Sequence, residues 1–139
     1  MTHLLDTSIL VRVIGGHKAT VEAIAQAPAT CTLGTSIIVR GELVWGAMAA
    51  AAALRDQELR RVLQMLEDLA KVLPVTPRIA DVYGELQASL DPQGKRLPAN
   101  DAWIAATALV HDLVLVSEDP HFGRVPGLKV ENWAKGTQV

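Results

Sequence analysis

The chain has 139 residues, a length typical of one domain, and half of them are hydrophobic while 20% are charged. This balance excludes a disordered chain and supplies enough apolar side chains for one core, so we expect a single domain over residues 1–139. The formal net charge of −2 excludes a global basic field for nucleic-acid binding, and any attraction of RNA has to be local or come from bound cations.

Three features of the sequence bear on its compartment. The single Cys31 excludes an internal disulfide and a cysteine-based zinc site, and it suits a reducing cytoplasm. Met1 is followed by a strand-like segment rather than by a basic and apolar leader. The longest uncharged apolar stretch, residues 43–54, is shorter than the ~20 residues of a transmembrane helix. We therefore expect a soluble, cytoplasmic protein.

The first third of the chain predicts alternating strands and helices. A strand at residues 2–5 leads into a helix whose apolar face is formed by residues 9–14, and Gly15-Gly16 ends that helix. A second helix at residues 19–27 precedes a weaker strand at residues 30–33.

Ser36 is predicted to begin a long helix. Between residues 37 and 54 the only charged residues are Arg40 and Glu42, so this helix is apolar nearly all round. Such a helix is buried on more than one side, by its own core or by a partner. Residues 55–72 have apolar side chains at the i, i+3, i+4 spacing with charges opposite, which is typical of an amphipathic surface helix.

The second half of the chain continues the alternation. The predicted elements are a short extended segment at 73–75, a helix from Pro77 to about Leu90, a polar loop at 91–96, a helix at 100–110, a buried strand at 113–117 and an edge strand at 128–131. Strands that alternate with helices through short loops imply a parallel sheet covered on both sides. The predicted fold is a three-layer α/β/α sandwich with a mainly parallel sheet of four to five strands.

Two aspartates directly follow predicted strands. Asp6 comes after the first strand and Asp119 after the strand at 113–117, so both are expected beyond the carboxyl edge of the sheet, where open parallel sheets gather functional groups. Each also has a structural explanation, since Asp6 could enter a helix and Asp119 could form a turn before proline.

Two further carboxylates lie on predicted helices. Glu42 shares an otherwise apolar face with Ile38 and Trp45, and burial of a lone carboxylate is costly unless it is paired or binds a metal. A glutamate that snorkels at the helix edge, or one paired with Arg40, is the alternative. Asp101 lies in the first turn of its helix, where a carboxylate also interacts favourably with the helix dipole.

Together the four carboxylates are expected to converge at one edge of the sheet. Clustered carboxylates repel one another unless a cation lies between them, and oxygen ligands favour Mg²⁺ or Mn²⁺ over Zn²⁺. The histidines show no ligand spacing and are interpreted as structural or solvent-facing: His3, His17, His111 and His121. The sequence contains no glycine-rich phosphate loop.

Several motifs in chain order carry a specific resemblance. They are Leu4-Leu5-Asp6-Thr7-Ser8, Gly41-Glu42-Leu43 with Gly46 one turn later, Asn100-Asp101-Ala102-Trp103-Ile104-Ala105-Ala106, Val116-Ser117-Glu118-Asp119-Pro120-His121-Phe122, and the closing Val125-Pro126-Gly127-Leu128 through Trp133. In this order and at these intervals they resemble the motifs of PIN-domain ribonucleases. The resemblance covers essentially the whole chain and implies a PIN-like fold.

The resemblance also implies a site and partners. It places Mg²⁺ or Mn²⁺ on the four acidic positions, Asp6, Glu42, Asp101 and Asp119. It matches four polar positions that would hydrogen-bond the acids or a water, namely Thr7, Ser8, Asn100 and Ser117. A single-domain PIN protein of this size is similar to the VapC toxins, which cleave RNA and pair with a small antitoxin.

The expected activity is that of an endoribonuclease using metal-activated water to hydrolyse phosphodiester bonds. This chemistry needs no ribose 2′-hydroxyl and leaves a 5′-phosphate. Candidates for steering the RNA backbone are four basic residues that otherwise count as solvated surface charges: Arg40, Lys95, Arg96 and Arg124.

Two other functions are consistent with parts of the sequence. The apolar helix and the alanine run at residues 49–53 could form a homodimer interface, and adjacent grooves could accept an antitoxin segment, so the chain could act mainly as a binding partner. A phosphatase or phosphoacceptor domain also begins with an aspartate after its first strand. Asp6 is followed by Thr7-Ser8 without a second aspartate, which argues against that class.

Overall fold

Five parallel strands form the centre of the protein in a computed structural model that describes residues 1–135. The strands are β1 (His3–Leu5), β2 (Leu33–Ser36), β3 (Lys71–Leu73), β4 (Val114–Val116) and β5 (Val130–Glu131). Their order across the sheet is β3-β2-β1-β4-β5, and each neighbouring pair is parallel. Because the order reverses at β1, right-handed crossovers place helices on both faces of the sheet. The predicted α/β architecture with a parallel sheet is confirmed.

In the described part of the chain, six α-helices surround the sheet. They are α1 (Thr7–Ile14), α2 (Lys18–Ala25), α3 (Ile37–Met48), α4 (Arg55–Leu69), α5 (Pro77–Leu90) and α6 (Ala99–Val110). The start of α5 agrees with the prediction because Pro77 occupies its first turn and the Thr76 hydroxyl accepts from the Ile79 amide. Within residues 1–135, no helix has the length and apolarity that crossing a bilayer requires.

The prediction was wrong about the position of β2. The strand was expected at residues 30–33 and lies at Leu33–Ser36, where Leu33 pairs with His3. Thr35 and Ser36 have no exposed surface between the two neighbouring strands, and the Thr35 hydroxyl donates to the Leu5 carbonyl at 2.7 Å. Tertiary burial therefore outweighs the weak strand propensity of this polar segment.

The extended segment predicted at residues 73–75 also lies earlier, at Lys71–Leu73. Pro74 has no N–H to donate to a strand ladder, so the strand ends before it.

The long helix predicted from Ser36 is interrupted in the alanine run. Ser36 is the last residue of β2, and its side chain accepts from the Ile38 amide at the start of α3. Helix α3 ends at Met48, Ala51 is extended, and α4 begins at Arg55 to pack back against α3. Alanine alone would favour a continuous helix, so the turn is imposed by the packing of the two helices.

Burial divides α3 into two sides. Val39, Leu43 and Ala47 face the core, whereas Trp45 on the other side is 74% exposed. The expectation that this helix is buried on more than one side is therefore not met by the chain itself, which leaves the second side available for a partner.

Candidate metal centre

The predicted acidic residues lie beyond the carboxyl ends of β1 and β4. These strands pair in register with Leu5 opposite Val116, so Asp6 and Ser117 are the next residues on neighbouring strands. This is the point at which the strand order reverses, and open α/β sheets bind ligands in the crevice that forms there.

Asp6 is held at this edge by two serine hydroxyls. Its side chain is buried, and its Oδ2 accepts from Ser117 Oγ at 2.7 Å and from Ser8 Oγ at 3.0 Å. Ser117 Oγ in turn accepts from the Asp119 amide at 3.0 Å, and Ser8 Oγ accepts from the Glu118 amide at 3.3 Å. Each serine therefore links Asp6 to the chain that leaves β4. Asp6 stands at the N-cap position of α1 but forms no side-chain cap there, so helix entry does not explain it.

The environment of Asp6 disfavours its charged form. Burial raises the pKa of the Asp6 carboxyl above its ordinary value of 3.8, although the Ser117 and Ser8 hydroxyls act in the opposite direction. The negative charge of Glu42 raises that pKa further. A cation beside Asp6 would therefore relieve an existing electrostatic cost.

Glu42 reaches the site from α3. Its Oε1 accepts from the Thr7 hydroxyl at 2.7 Å, across a separation of 35 residues. Within the described part of the chain, Glu42 forms no ion pair with Arg40, so the alternative of a buried pair between these two residues is wrong. Helix α3 and the first turn of α1 are thus connected through an acid of the predicted site.

Asp101, Asp119 and His121 form the most compact group of potential ligands. One donor atom from each lies within 4.8 Å of the other two. Asp101 comes from the first turn of α6, while Asp119 begins the short helix Pro120–Arg124 and accepts from the His121 amide at 2.9 Å. His121 Nδ1 is 3.1 Å from Asp119 Oδ1 and 3.5 Å from Asp101 Oδ2.

The environment of Asp101 also disfavours the charged form of its carboxyl group. Burial raises its pKa above the ordinary value of 3.8, and the negative charges of Asp119 and Asp6 raise it further. His121 partly opposes this shift. Asp101 is thus close enough to Asp119 and Asp6 to feel their charges, as Asp6 is to Glu42.

The predicted supporting residues divide into two groups. Thr7, Ser8 and Ser117 contact the acids, whereas Asn100 is exposed on α6 and its side chain forms no hydrogen bond within residues 1–135. The four basic residues proposed to steer RNA are exposed or half-buried and form no ion pair in the described chain: Arg40, Lys95, Arg96 and Arg124.

A neighbouring acid is used elsewhere. Glu118, between Ser117 and Asp119, accepts two hydrogen bonds from Arg12, at 3.2 Å from Nε and 3.0 Å from Nη2. This bidentate pair neutralises Glu118 and anchors α1 beside the end of β4. Glu118 is therefore an acid of the structural framework rather than of the cluster.

The sequence interpretation of His121 did not anticipate its contacts with the acids, although its side chain is 41% exposed. It was assigned a structural or solvent-facing role because histidines with ligand spacing were absent, but its partners are Asp119, two residues earlier, and the distant Asp101. The signal that could have found it is the Asp-Pro-His sequence that follows a buried strand after two intervening residues, since a short turn there directs both side chains to the sheet edge.

The donor set fits a divalent cation. Carboxylate oxygens and an imidazole nitrogen are ordinary ligands of such ions, and His121 Nδ1 is buried without a hydrogen-bond partner among the described residues. An unpaired buried polar atom is costly, and coordination would satisfy it.

Comparison with known proteins identifies relatives over nearly the whole chain. Residues 3–128 match the PIN domain. Ribonuclease VapC2 of Haemophilus influenzae (strain ATCC 51907 / DSM 11121 / KW20 / Rd) is 31% identical over 137 residues, which cover 96% of this chain and 98% of the relative.

Solved structures of similar fold include VapBC complexes. VapBC2 from Rickettsia felis, bound to a fragment of its promoter DNA, superposes with a TM-score of 0.87 at 27% identity and covers 96% of this chain and 99% of the other. VapBC-1 from nontypeable Haemophilus influenzae superposes with a TM-score of 0.85 at 29% identity, covering 96% and 98%.

Replacement of Asp101 by Asn should stabilise the metal-free protein at neutral pH. Because the folded-state pKa of Asp101 is raised, the folded wild-type chain holds this proton more tightly, and its stability falls as pH rises from 3.8 through the folded-state pKa. Asp101→Asn removes that loss, so we expect a Tm higher by roughly 2–4 °C in EDTA at pH 7.5.

The advantage of Asp101→Asn should disappear at pH values below 3.8, where the carboxyl is protonated in both states. Thermal unfolding followed by circular dichroism across the pH range measures this difference. Asp81→Asn, at an exposed position on α5, serves as the matched control. An Asp101→Asn protein less stable than wild type at pH 7.5 in EDTA would contradict the electrostatic account.

Proposed function

This chain belongs to the PIN-domain family, and from that premise we propose that it is a metal-dependent endoribonuclease and the toxin of a toxin–antitoxin pair. We further propose that residues 1–139 form one nuclease domain that acts in the cytoplasm. The observation that carries the proposal is the convergence of Asp101, Asp119 and His121, with Asp6 beside them, at the switch point of the sheet.

We assign the metal site to the four acids, Asp6, Glu42, Asp101 and Asp119. Their oxygen atoms suit Mg²⁺ or Mn²⁺, the cations that most often act on phosphate esters. When bound, such a cation neutralises charge on the phosphate and makes water a better nucleophile at neutral pH.

The contribution of the chain is to hold these acids in place. Ser8 and Ser117 fix the Asp6 carboxylate, and Thr7 fixes the Glu42 carboxylate, so neither acid has to be reoriented when substrate arrives. Water adds to phosphorus, the bond from phosphorus to the 3′-oxygen breaks, and the products are a 3′-hydroxyl and a 5′-phosphate. One of the acids also takes the proton of the attacking water.

Binding of RNA has to rely on local charge because the net charge of the chain is −2. We propose that Arg124, at the end of the short helix that carries His121, lies closest to the path of the RNA backbone. Arg40, two residues before Glu42, and the exposed pair Lys95 and Arg96 are the other candidates.

A small antitoxin is the proposed protein partner. The relatives of this fold include VapBC complexes. A groove of about 590 Å³ between α1 and α4 is lined by three apolar side chains, two arginines and one glutamine: Val13, Ile14, Met65, Arg60, Arg61 and Gln64. This composition suits an amphipathic segment with acidic side chains along one edge.

A homodimer is proposed through the exposed side of α3. Ile37, Trp45 and Met48 are 42%, 74% and 47% exposed and lie on one stripe of the helix, with Gly41 between them. Nothing within 4 Å would meet a side chain at Gly41, so the stripe has room for a close approach by a second copy. Exposed apolar stripes of this kind commonly mark protein interfaces.

The phosphoacceptor alternative is not favoured. In that class a second aspartate follows the first two positions later, whereas Ser8 occupies this position here.

The purified chain should cleave RNA in the presence of Mg²⁺ or Mn²⁺ and should lose this activity in EDTA. Asp6→Asn and Asp101→Asn should each lower the rate more than about 100-fold, because removal of outer partners alone costs about 10–100-fold at metal sites. Gel analysis of a mixed set of structured and unstructured RNAs measures the rates; the two site variants control for contaminating nuclease, and Asp81→Asn is the matched variant that should keep full activity. Products with 2′,3′-cyclic phosphate ends, or activity retained in both variants, would refute the proposal.

Ser117→Ala should lower kcat about 10–100-fold with little change in KM. The variant removes the donor to Asp6 Oδ2 and the acceptor of the Asp119 amide, so both acids lose their fixed position while RNA-binding surfaces stay intact. Steady-state cleavage of a fluorogenic RNA separates the two constants. Ser89→Ala, which removes a hydroxyl bonded to the Leu86 carbonyl, is the matched control and should leave both unchanged. A loss confined to KM would assign Ser117 to RNA binding instead.

The wild-type chain should sediment as a dimer at micromolar concentration, and Trp45→Arg should sediment as a monomer. The substitution places a charge at the centre of the apolar stripe, where it would be desolvated in a dimer. Sedimentation velocity distinguishes the two states, with Val21→Arg on α2 as a control of similar chemistry. A monomeric wild-type chain would reject the α3 dimer, but it would not bear on the proposed catalytic activity.

A further inference from the structure

His121 presents a nitrogen atom that the fold does not use. Nδ1 is buried, and no group in residues 1–135 forms a hydrogen bond with it. The rest of the side chain is 41% exposed, so the ring enters the cluster with one edge only. Buried polar atoms in native proteins are nearly always satisfied, and an unsatisfied one indicates a missing partner.

The two carboxylate oxygens beside Nδ1 do not supply that partner. Asp119 Oδ1 is 3.1 Å away and Asp101 Oδ2 is 3.5 Å away, which is within ion-pair distance, but neither contact meets the geometry of a hydrogen bond. The backbone of His121 is already held by another bond, since its amide donates to Asp119 Oδ1 at 2.9 Å. The imidazole is therefore not needed to form the turn.

These separations suit ligands that share one cation. Neighbouring ligands around an octahedral ion with bonds of about 2.1 Å lie about 3 Å apart. The separations of 3.1 Å and 3.5 Å are close to that spacing, and all three donor atoms lie within 4.8 Å of one another. The backbone at this position is anchored, because the following residue, Phe122, is completely buried.

We propose that His121 Nδ1 is a direct ligand of the metal and that it makes the site select Mn²⁺ over Mg²⁺. This inference rests on the proposed function, since it adds a nitrogen to the site assigned to the acids. Mg²⁺ strongly prefers oxygen ligands, whereas imidazole binds well to the transition-metal ions, and Mn²⁺ accepts both. A mixed nitrogen and oxygen donor set therefore favours Mn²⁺ more than a set of carboxylates alone would.

The first test is pulsed electron paramagnetic resonance of Mn²⁺ bound to the full-length wild-type chain. A directly coordinated imidazole gives a ¹⁴N modulation of the Mn²⁺ signal, and labelling with ¹⁵N-histidine should change that modulation. Bound Mn²⁺ without nitrogen modulation would overturn the inference. This measurement needs no variant, so it stays decisive if substitution of His121 prevents folding.

The second test is calorimetric titration of MnCl₂ and MgCl₂ into the metal-free chain at one fixed pH. His121→Ala should weaken Mn²⁺ binding at least about tenfold and Mg²⁺ binding much less, and it should abolish the nitrogen modulation. His111→Ala, at an exposed position after α6, should change neither affinity. Equal losses for the two ions in His121→Ala would overturn the selectivity.

The outcomes separate this inference from the proposed function. Asp101→Asn should weaken both ions, because the acids carry the site in either case. A wild-type chain that binds metal and cleaves RNA, with His121→Ala keeping the same preference between Mn²⁺ and Mg²⁺, would reject only the histidine ligand. A wild-type chain that binds neither ion would reject both proposals.

Discussion

The interaction on which the rest of the site depends is the pair of serine hydroxyls on Asp6. A carboxylate that is only 4% exposed is costly unless it accepts hydrogen bonds, and Ser8 and Ser117 supply them from two directions. The same hydroxyls accept hydrogen bonds from backbone amides of the chain that leaves β4. One buried acid therefore joins the ends of β1 and β4. The position of the turn that carries Asp119 and His121 depends on this connection.

The arrangement makes folding and function compete. Burial and mutual repulsion raise the pKa of Asp6 and Asp101, so the metal-free fold carries unfavourable charge in the one place where the proposed chemistry needs it. The remainder of the protein offsets this cost with a continuous aliphatic core and a nearly buried α6. The Arg12–Glu118 pair keeps a further nearby acid out of the cluster.

The sequence predicted the sheet and the gathering of the acids because both follow from local rules. Parallel strands end at one edge, so acids after β1 and β4 had to meet there. The sequence-based prediction failed where packing against distant residues determines the local structure. Examples are the later position of β2 and the end of the helix at Met48, before the alanine run. It also missed His121, because ligand spacing along the chain cannot reveal a partner on α6.

The central position of β1 has a consequence for synthesis of the protein. Asp6 is synthesised before its hydroxyl donor Ser117, which follows 111 residues later, and β1 has no partner on that side until β4 emerges. Contacts between such remote residues form late in folding. A nascent chain that has not yet reached β4 therefore contains the first acid without the second half of its cluster, and it cannot assemble the site.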